Sequence, residues 1–314
     1  MSGKKAITGD GRFIWHVLAL LVVAIWGVTF ISTKVLIGAG LTPSQIFAIR
    51  FTMAYAGIWI LCAARKGSAT SLWAGTVRDE LIFVFLGVTG GSLYFLTENT
   101  ALALTQACNV SFIVCSAPLL TALMTLAAKK FLKGPLVDGL EDVKVSWKLV
   151  LGTILCVAGM AVVVFEGASL HLSPKGDLMA VAAALCWALY SVLMGQMTQK
   201  YGALFATRKV FFWGLATIAP LFVADLPSAD ALLKPAVVLN LLFLGLVASL
   251  GCFAVWNKVM SRLGNVTSTN YVYLNPFFTL LGATLFLGEK MTLPSALGSA
   301  AIILGVFVAG RPSK

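Results

Sequence analysis

Glu98 stands beside Asn99 in "YFLTENTALALTQ" (94–106), late in an apolar run that begins at Leu81, after Asp79 and Glu80. A carboxylate in such surroundings can take up a proton, bind a cation or neutralise a buried base. Its burial is costly, so by default it marks a substrate, ion or proton pathway. Arg50 is the partner the chain offers. It sits roughly six residues into a helix predicted to start near Ser44, and Glu98 sits roughly six residues before its own helix ends near Leu104, so at about 1.5 Å per residue both lie about 9 Å below the same boundary. Lys34, near the end of another predicted helix, is a second cationic candidate, with snorkelling to the interface as the alternative. Two roles are open to Glu98: a structural counter-ion for Arg50, or a titratable group through which proton movement is coupled.

Other reactive side chains form no recognisable centre. The six cysteines (Cys62, Cys108, Cys115, Cys156, Cys186 and Cys252) lie in or at the ends of apolar stretches without a CxxC pair, and read as small buried hydrophobes. His16 and His171 fall at predicted span ends with no partner nearby, which argues against a metal site. No cofactor is expected, and the absence of a Walker motif leaves no means of ATP hydrolysis.

The elements that must position these residues follow from composition. Of the 314 residues, 59% are hydrophobic and only 11% charged, and the mean hydropathy is +0.94. A soluble domain commonly devotes about a quarter of its residues to charge. Continuous rather than alternating apolar segments indicate membrane helices and not a barrel. The net charge of +11 does not indicate nucleic acid, because the basic residues sit in short loops between spans, where they report topology.

Ten spans are predicted, at roughly 15–37, 44–64, 81–104, 109–128, 147–166, 177–197, 204–224, 236–260, 266–287 and 293–310, each near the ~20 residues a crossing needs. The run after Lys4, Lys5 and Arg12 is too long for a signal peptide and is read as the first span. If both termini are cytoplasmic, only Lys34, Lys175, Lys234 and Lys290 fall outside and Arg50 lies within a span, with every other Lys and Arg inside. The positive-inside rule therefore places both termini in the cytoplasm.

The chain also repeats itself. An offset of 158 lays Pro118 over Pro276, Asn99 over Asn257, Phe95 over Phe253, Thr121 over Thr279, Arg50 over Arg208 and Phe47 over Phe205. Trp26 meets Trp187 at an offset of 161, and Gly152 and Gly159 meet Gly298 and Gly305 at 146. Two halves, 1–170 and 171–314, are expected, each with five spans. An odd number of spans makes the halves cross in opposite senses, an inverted repeat of the kind that places a solute site near the midplane. Trp26 and Trp187, near mid-span, read as cavity linings or as core. Asn99 and Asn257 read as a hydrogen bond common to both halves, or as part of the solute pathway. Tyr273 and Asn275, just ahead of Pro276, join that pathway set. Pro118 and Pro276 are expected to kink their helices, and the glycines, seven apart, to let helices pack closely. Glu98 has no such counterpart; its match is Trp256.

The tryptophan motifs "AIWG" and "LCWA", the "RF" and "RK" at 50–51 and 208–209, the proline-centred fourth and ninth spans and the tail "LFLGEKMTL" (285–293) resemble the drug/metabolite transporter superfamily, in particular its EamA-type ten-helix members. The resemblance covers nearly the whole chain, although "KKFLKG" lacks the glutamate that ends the motif in the first half. It implies an all-α membrane protein of ten helices working by alternating access. The expected function is a secondary transporter for a small amino-acid-like or other polar or amphipathic solute. Export across a bacterial inner membrane is favoured, with protons as an open co-substrate and a monomer or homodimer as the assembly. A non-transporting scaffold or receptor and a lipid-modifying membrane enzyme are the alternatives. Scaffolds have no need of an inverted repeat, and lipid chemistry usually needs clustered carboxylates, histidines or a metal.

Overall fold

The computed structural model describes residues 9–64, 70–105, 107–140, 146–167, 173–287 and 293–309, and no strand occurs among them. In a hydrocarbon environment this is the expected economy, since a helix satisfies its backbone polar groups within itself. Helices α1 (Gly9–Gly38) and α2 (Pro43–Ala64) are followed by α3 (Val77–Gly87), a wide π turn at Val88–Ser92, and α4 (Leu93–Leu104). Next come α5 (Ala107–Val114), α6 (Ala117–Phe131), the short α7 (Pro135–Asp138) and α8 (Trp147–Gly167). The remainder comprises α9 (Pro174–Tyr201), α10 (Ala203–Ala224), α11 (Ala229–Leu232), α12 (Pro235–Leu242), a second π turn (Phe243–Gly251) and α13 (Cys252–Leu263). The chain then runs through α14 (Asn265–Thr269), a 3-10 segment (Asn270–Leu274), α15 (Asn275–Leu287) and α16 (Leu293–Ala309).

Six stretches are long and apolar enough to cross a membrane: Arg12–Gly38, Pro43–Ala64, Val77–Leu104, Pro174–Tyr201, Ala203–Ala224 and Pro235–Leu263. They coincide with six of the predicted spans. The predicted 147–166 and 293–310 are the helices α8 and α16, whereas 109–128 and 266–287 are not continuous helices. The first breaks at Cys115 and Ser116, the second across the 3-10 segment. Proline is the physical reason. Pro118 and Pro276 lack an N–H for the carbonyl four residues back, and their rings clash with it. Each therefore sits in the first turn of the helix that resumes, where a missing donor costs nothing, and not as a kink within one helix.

The two π turns occupy matching places, because 88–92 shifted by 158 falls inside 243–251. Gly91 leaves helical geometry there (φ −127°, ψ −105°). Gly90 lies so close to the Tyr190 ring that a Cβ would overlap it. Helices α8 and α16, which the sequence offset of 146 lays over one another, touch through glycine. A Cβ on Gly152 would stand 2.6 Å from the Gly305 carbonyl oxygen, and one on Gly159 2.5 Å from that of Gly298. Because the pairing is 152 with 305 and 159 with 298, α8 and α16 run antiparallel.

Matched residues also meet at the centre. Trp26 and Trp187 lie edge to face at 5.4 Å, and Phe95 and Phe253 are 6.2 Å apart between ring centroids. Phe51 joins them, 5.0 Å from both Phe95 and Phe211.

Candidate functional site

A small central cavity lies among these rings. Helix α1 contributes Trp26, Thr29 and Phe30, α2 contributes Arg50, and α4 contributes Tyr94, Phe95 and Glu98. Trp187 of α9 and Phe253 of α13 face them, and Val114, Val272 and Asn275 complete the wall.

Val114 and Val272 are each four residues before a proline, so neither carbonyl can receive the usual helical N–H. The Val272 carbonyl accepts instead from the Asn275 N–H and from the Cys115 thiol at 3.2 Å. The break in one half is thus bonded to the break in the other. Irregular backbone at membrane depth is tolerated where it is enclosed by protein or lines a cavity, and here both breaks adjoin one.

Glu98 is 8% exposed and Arg50 2%. Tyr94, one helical turn before Glu98, donates its hydroxyl to Glu98 Oε1 at 2.6 Å. Arg50 donates Nε–H to Ser249 Oγ at 3.0 Å, and its guanidinium lies 4.6 Å from the centre of the Phe95 ring. That is its one hydrogen bond among the described residues. Arg50 and Glu98 attract one another across the cavity, but the ion pairs among the described residues lie elsewhere, at Lys200–Asp79 and Lys209–Glu80. Two further polar atoms on the wall have no hydrogen-bond partner among the described residues: the Trp187 indole N–H, a donor, and Asn275 Oδ1, an acceptor. A cation, a carboxylate, one spare donor and one spare acceptor between aromatic faces suit a small solute with both charges and an apolar body.

Trp26, Arg50, Glu98, Trp187 and Asn275 therefore share one cavity. Trp26 is anchored there by donating Nε1–H to the Ala248 carbonyl at 3.0 Å. Three residues of the expected pathway lie outside it. Asn99 is fully buried and donates to the Pro43 carbonyl at 3.4 Å. Asn257 accepts from the Tyr190 hydroxyl and donates to Thr207 Oγ1 at 2.7 Å, joining α13, α9 and α10. Tyr273 lines a separate, apolar cavity beside Pro118. Lys34 donates to the Thr105 carbonyl at 2.8 Å, at the end of α4, and not to Glu98. His16, expected to stand alone, shares a hydrogen bond of 2.7 Å with the Tyr271 hydroxyl; His171 lies outside the described residues.

Tyr94 and Ser249 are the functional neighbours that sequence reading missed. Tyr94 was within reach of it, since residues four apart on a helix are neighbours. Ser249, 199 residues from Arg50, carried no signal, because a π turn changes which side chains face inward.

The EamA-like transporter family matches the chain over residues 13–133 and again over 174–311. An uncharacterized transporter of Archaeoglobus fulgidus is 26% identical over 93% of this chain and 96% of its own. A probable amino-acid metabolite efflux pump of Escherichia coli is 25% identical over 93% of each. A probable terminal-alkyne amino-acid exporter of Streptantibioticus cattleyicolor is 25% identical over 74% of each. A solved crystal structure at 20% identity superposes with a TM-score of 0.69, covering 95% of this chain and 97% of the other, a likeness of fold. The apolar helices and the doubled family match together make this an integral, multi-pass membrane protein that belongs to the EamA-like transporter family.

Proposed function

We propose that the chain is a secondary transporter that exports a small amphipathic, amino-acid-like solute by alternating access, and that the central cavity is where the solute rests. The observation that carries this reading is the presence of both Arg50 and Glu98 in one aromatic-lined cavity that both helix breaks adjoin. Arg50 would take the solute's acidic group and Glu98 its amino group. Two relatives named for amino-acid efflux are consistent with that solute class.

The mechanism calls for ten spans in two inverted five-helix halves, 1–170 and 171–314, rocking about the cavity, with both termini on the cytoplasmic side of a bacterial inner membrane. The contacts of Trp26 with Trp187 and of Phe95 with Phe253, and the antiparallel α8 and α16, are what a two-fold axis in the membrane plane would produce. Protons enter through Glu98, which can carry one when the solute's amino group is absent.

Counterflow of amino acids into proteoliposomes, with and without a pH gradient, tests the reading. We expect saturable exchange of an amino acid with an apolar side chain, and at least about a tenfold loss of exchange in Glu98→Gln, the scale of one charge-assisted contact. Exchange in the variant equal to wild type under every gradient would remove Glu98 from the mechanism. No exchange across a broad panel by folded wild-type protein would sink the transporter reading itself.

A further inference from the structure

We propose that a second cavity, at the start of α10, binds the phosphate of an anionic phospholipid, with Arg208 as the group that holds it. This cavity lies among Tyr55, Leu72, Arg208, Lys209 and Phe212, and shares no residue with the solute cavity.

Among the described residues, the charges around Arg208 leave one positive charge in excess. Lys209 is paired with Glu80 and also donates to the Leu72 carbonyl at 3.1 Å. Asp79 is taken by Lys200 at 2.6 Å. Arg208 is 2% exposed and forms no ion pair among the described residues. Its Nη2 donates to the Ser71 carbonyl, its guanidinium lies 4.3 Å from the Trp59 ring centre, and its Nε–H has no partner among the described residues. A carbonyl and a ring face temper a buried cation but do not neutralise it, and buried charges are ordinarily paired. The repeat sets the two arginines apart. Arg50, the matching arginine, shares its cavity with Glu98, whereas the residue matching Glu98 in the second half is Trp256. Among the described residues Glu80 is the carboxylate that acts on Arg208, and it is already bonded to Lys209, so an anion from the surrounding bilayer would complete the charge balance.

A guanidinium with a donor left unbonded suits a phosphate oxygen. The surroundings select a lipid phosphate over a free one. Arg208 lies five residues beyond Ala203, about 8 Å along the helix from its end, the depth of the headgroup boundary. Beside it Leu72, Trp73 and Phe212 are 74%, 56% and 41% exposed, an apolar rim for acyl chains. Basic pockets between membrane helices are a recognised site for acidic headgroups. On the proposed orientation this is the cytoplasmic leaflet, but the binding does not depend on that assignment.

The test is native mass spectrometry of the full chain in detergent, titrated with phosphatidylglycerol, with diacylglycerol, which has no phosphate, and with inorganic phosphate as competitor. We expect one saturable phosphatidylglycerol adduct on wild type, unaffected by millimolar phosphate, with diacylglycerol retained far less. Arg208→Gln should weaken the adduct about tenfold, the scale of one charge-assisted contact, and Arg50→Gln should leave it unchanged. Equal retention of both lipids, or an unchanged adduct in Arg208→Gln, overturns the site. Displacement by inorganic phosphate overturns the lipid as its occupant. Should Arg208→Gln not fold, Arg208→Lys, which keeps charge without the planar fork, is expected to bind weakly, and undiminished binding counts against the proposal. None of these readouts depends on transport.

Discussion

The Arg50 guanidinium is fixed at two points, the face of Phe95 and the hydroxyl of Ser249. A hydroxyl that aims a cation without touching the solute should reveal itself in binding more than in turnover. Ser249→Ala is expected to cost about 1 kcal/mol of stability and to raise the half-saturating solute concentration several-fold, with the maximal exchange rate nearly unchanged. Ser249→Thr, which restores the acceptor, should recover most of both. Titrating exchange against solute concentration for the two variants checks this, and identical curves for Ser249→Ala and wild type would deny Ser249 that role. At this scale the sequence was partly legible. Glu98 announced itself as a lone carboxylate in an apolar run, and Arg50 followed by depth. Asn99 and Asn257, equally polar, turned out to tie helices to one another outside the cavity, because a polar type within a span does not reveal which way it faces.

The elements add a cluster that the sequence concealed. A predicted span starting at Leu81 leaves Asp79 and Glu80 as charges outside it, yet α3 starts at Val77, and both are buried against α9 and α10. Thr76 starts the helix by accepting the Asp79 N–H at 3.1 Å. Glu80 then takes the Ala74 N–H at 2.9 Å and the Trp213 indole N–H at 2.7 Å, along with Lys209. Asp79 takes Lys200 and the Tyr201 hydroxyl, both at 2.6 Å. The two pairs should not be equal in stability. Lys209 and Glu80 are 5% and 4% exposed in their side chains, while Lys200 is 54% exposed. Removing a partner from a buried pair strands a charge at about 3–5 kcal/mol, whereas a pair open to water is worth about 1 kcal/mol or less. Thermal unfolding in detergent should therefore show Glu80→Ala far less stable than Lys200→Ala, and equal losses would contradict the distinction. The helix breaks are the opposite case. Their prolines were visible, and only the placement of the breaks, just upstream, needed the structure.

Across the whole molecule, the repeat read from residue offsets is what brought most of the fold within reach. Pairs matched by offset are in contact at the centre, Trp26 on Trp187 and Phe95 on Phe253, as residues near the two-fold axis of the proposed inverted repeat would be. The two π turns share the repeat but could not be foreseen, since neither Pro nor a charge marks them. Gly305 offers a test at this scale. Its Cβ would stand 2.6 Å from both the Gly152 carbonyl oxygen and Cys156 Sγ. Gly305→Ala should thus cost about 1–3 kcal/mol by overpacking, seen as a lower unfolding temperature. An unaltered temperature would mean that the two helices part easily.

If they do not part easily, α8 and α16 would serve as a fulcrum in the proposed rocking. Backbone lies close to backbone there, beside the short side chains of Cys156, Ala301 and Ala309. The central elements instead carry π turns and interrupted helices, which can change pitch over short distances. Movement of one half against the other would then resemble a beam tilting on its support: least displacement along the glycine seam, and the greatest at the tryptophans and Glu98, where a solute would have to pass.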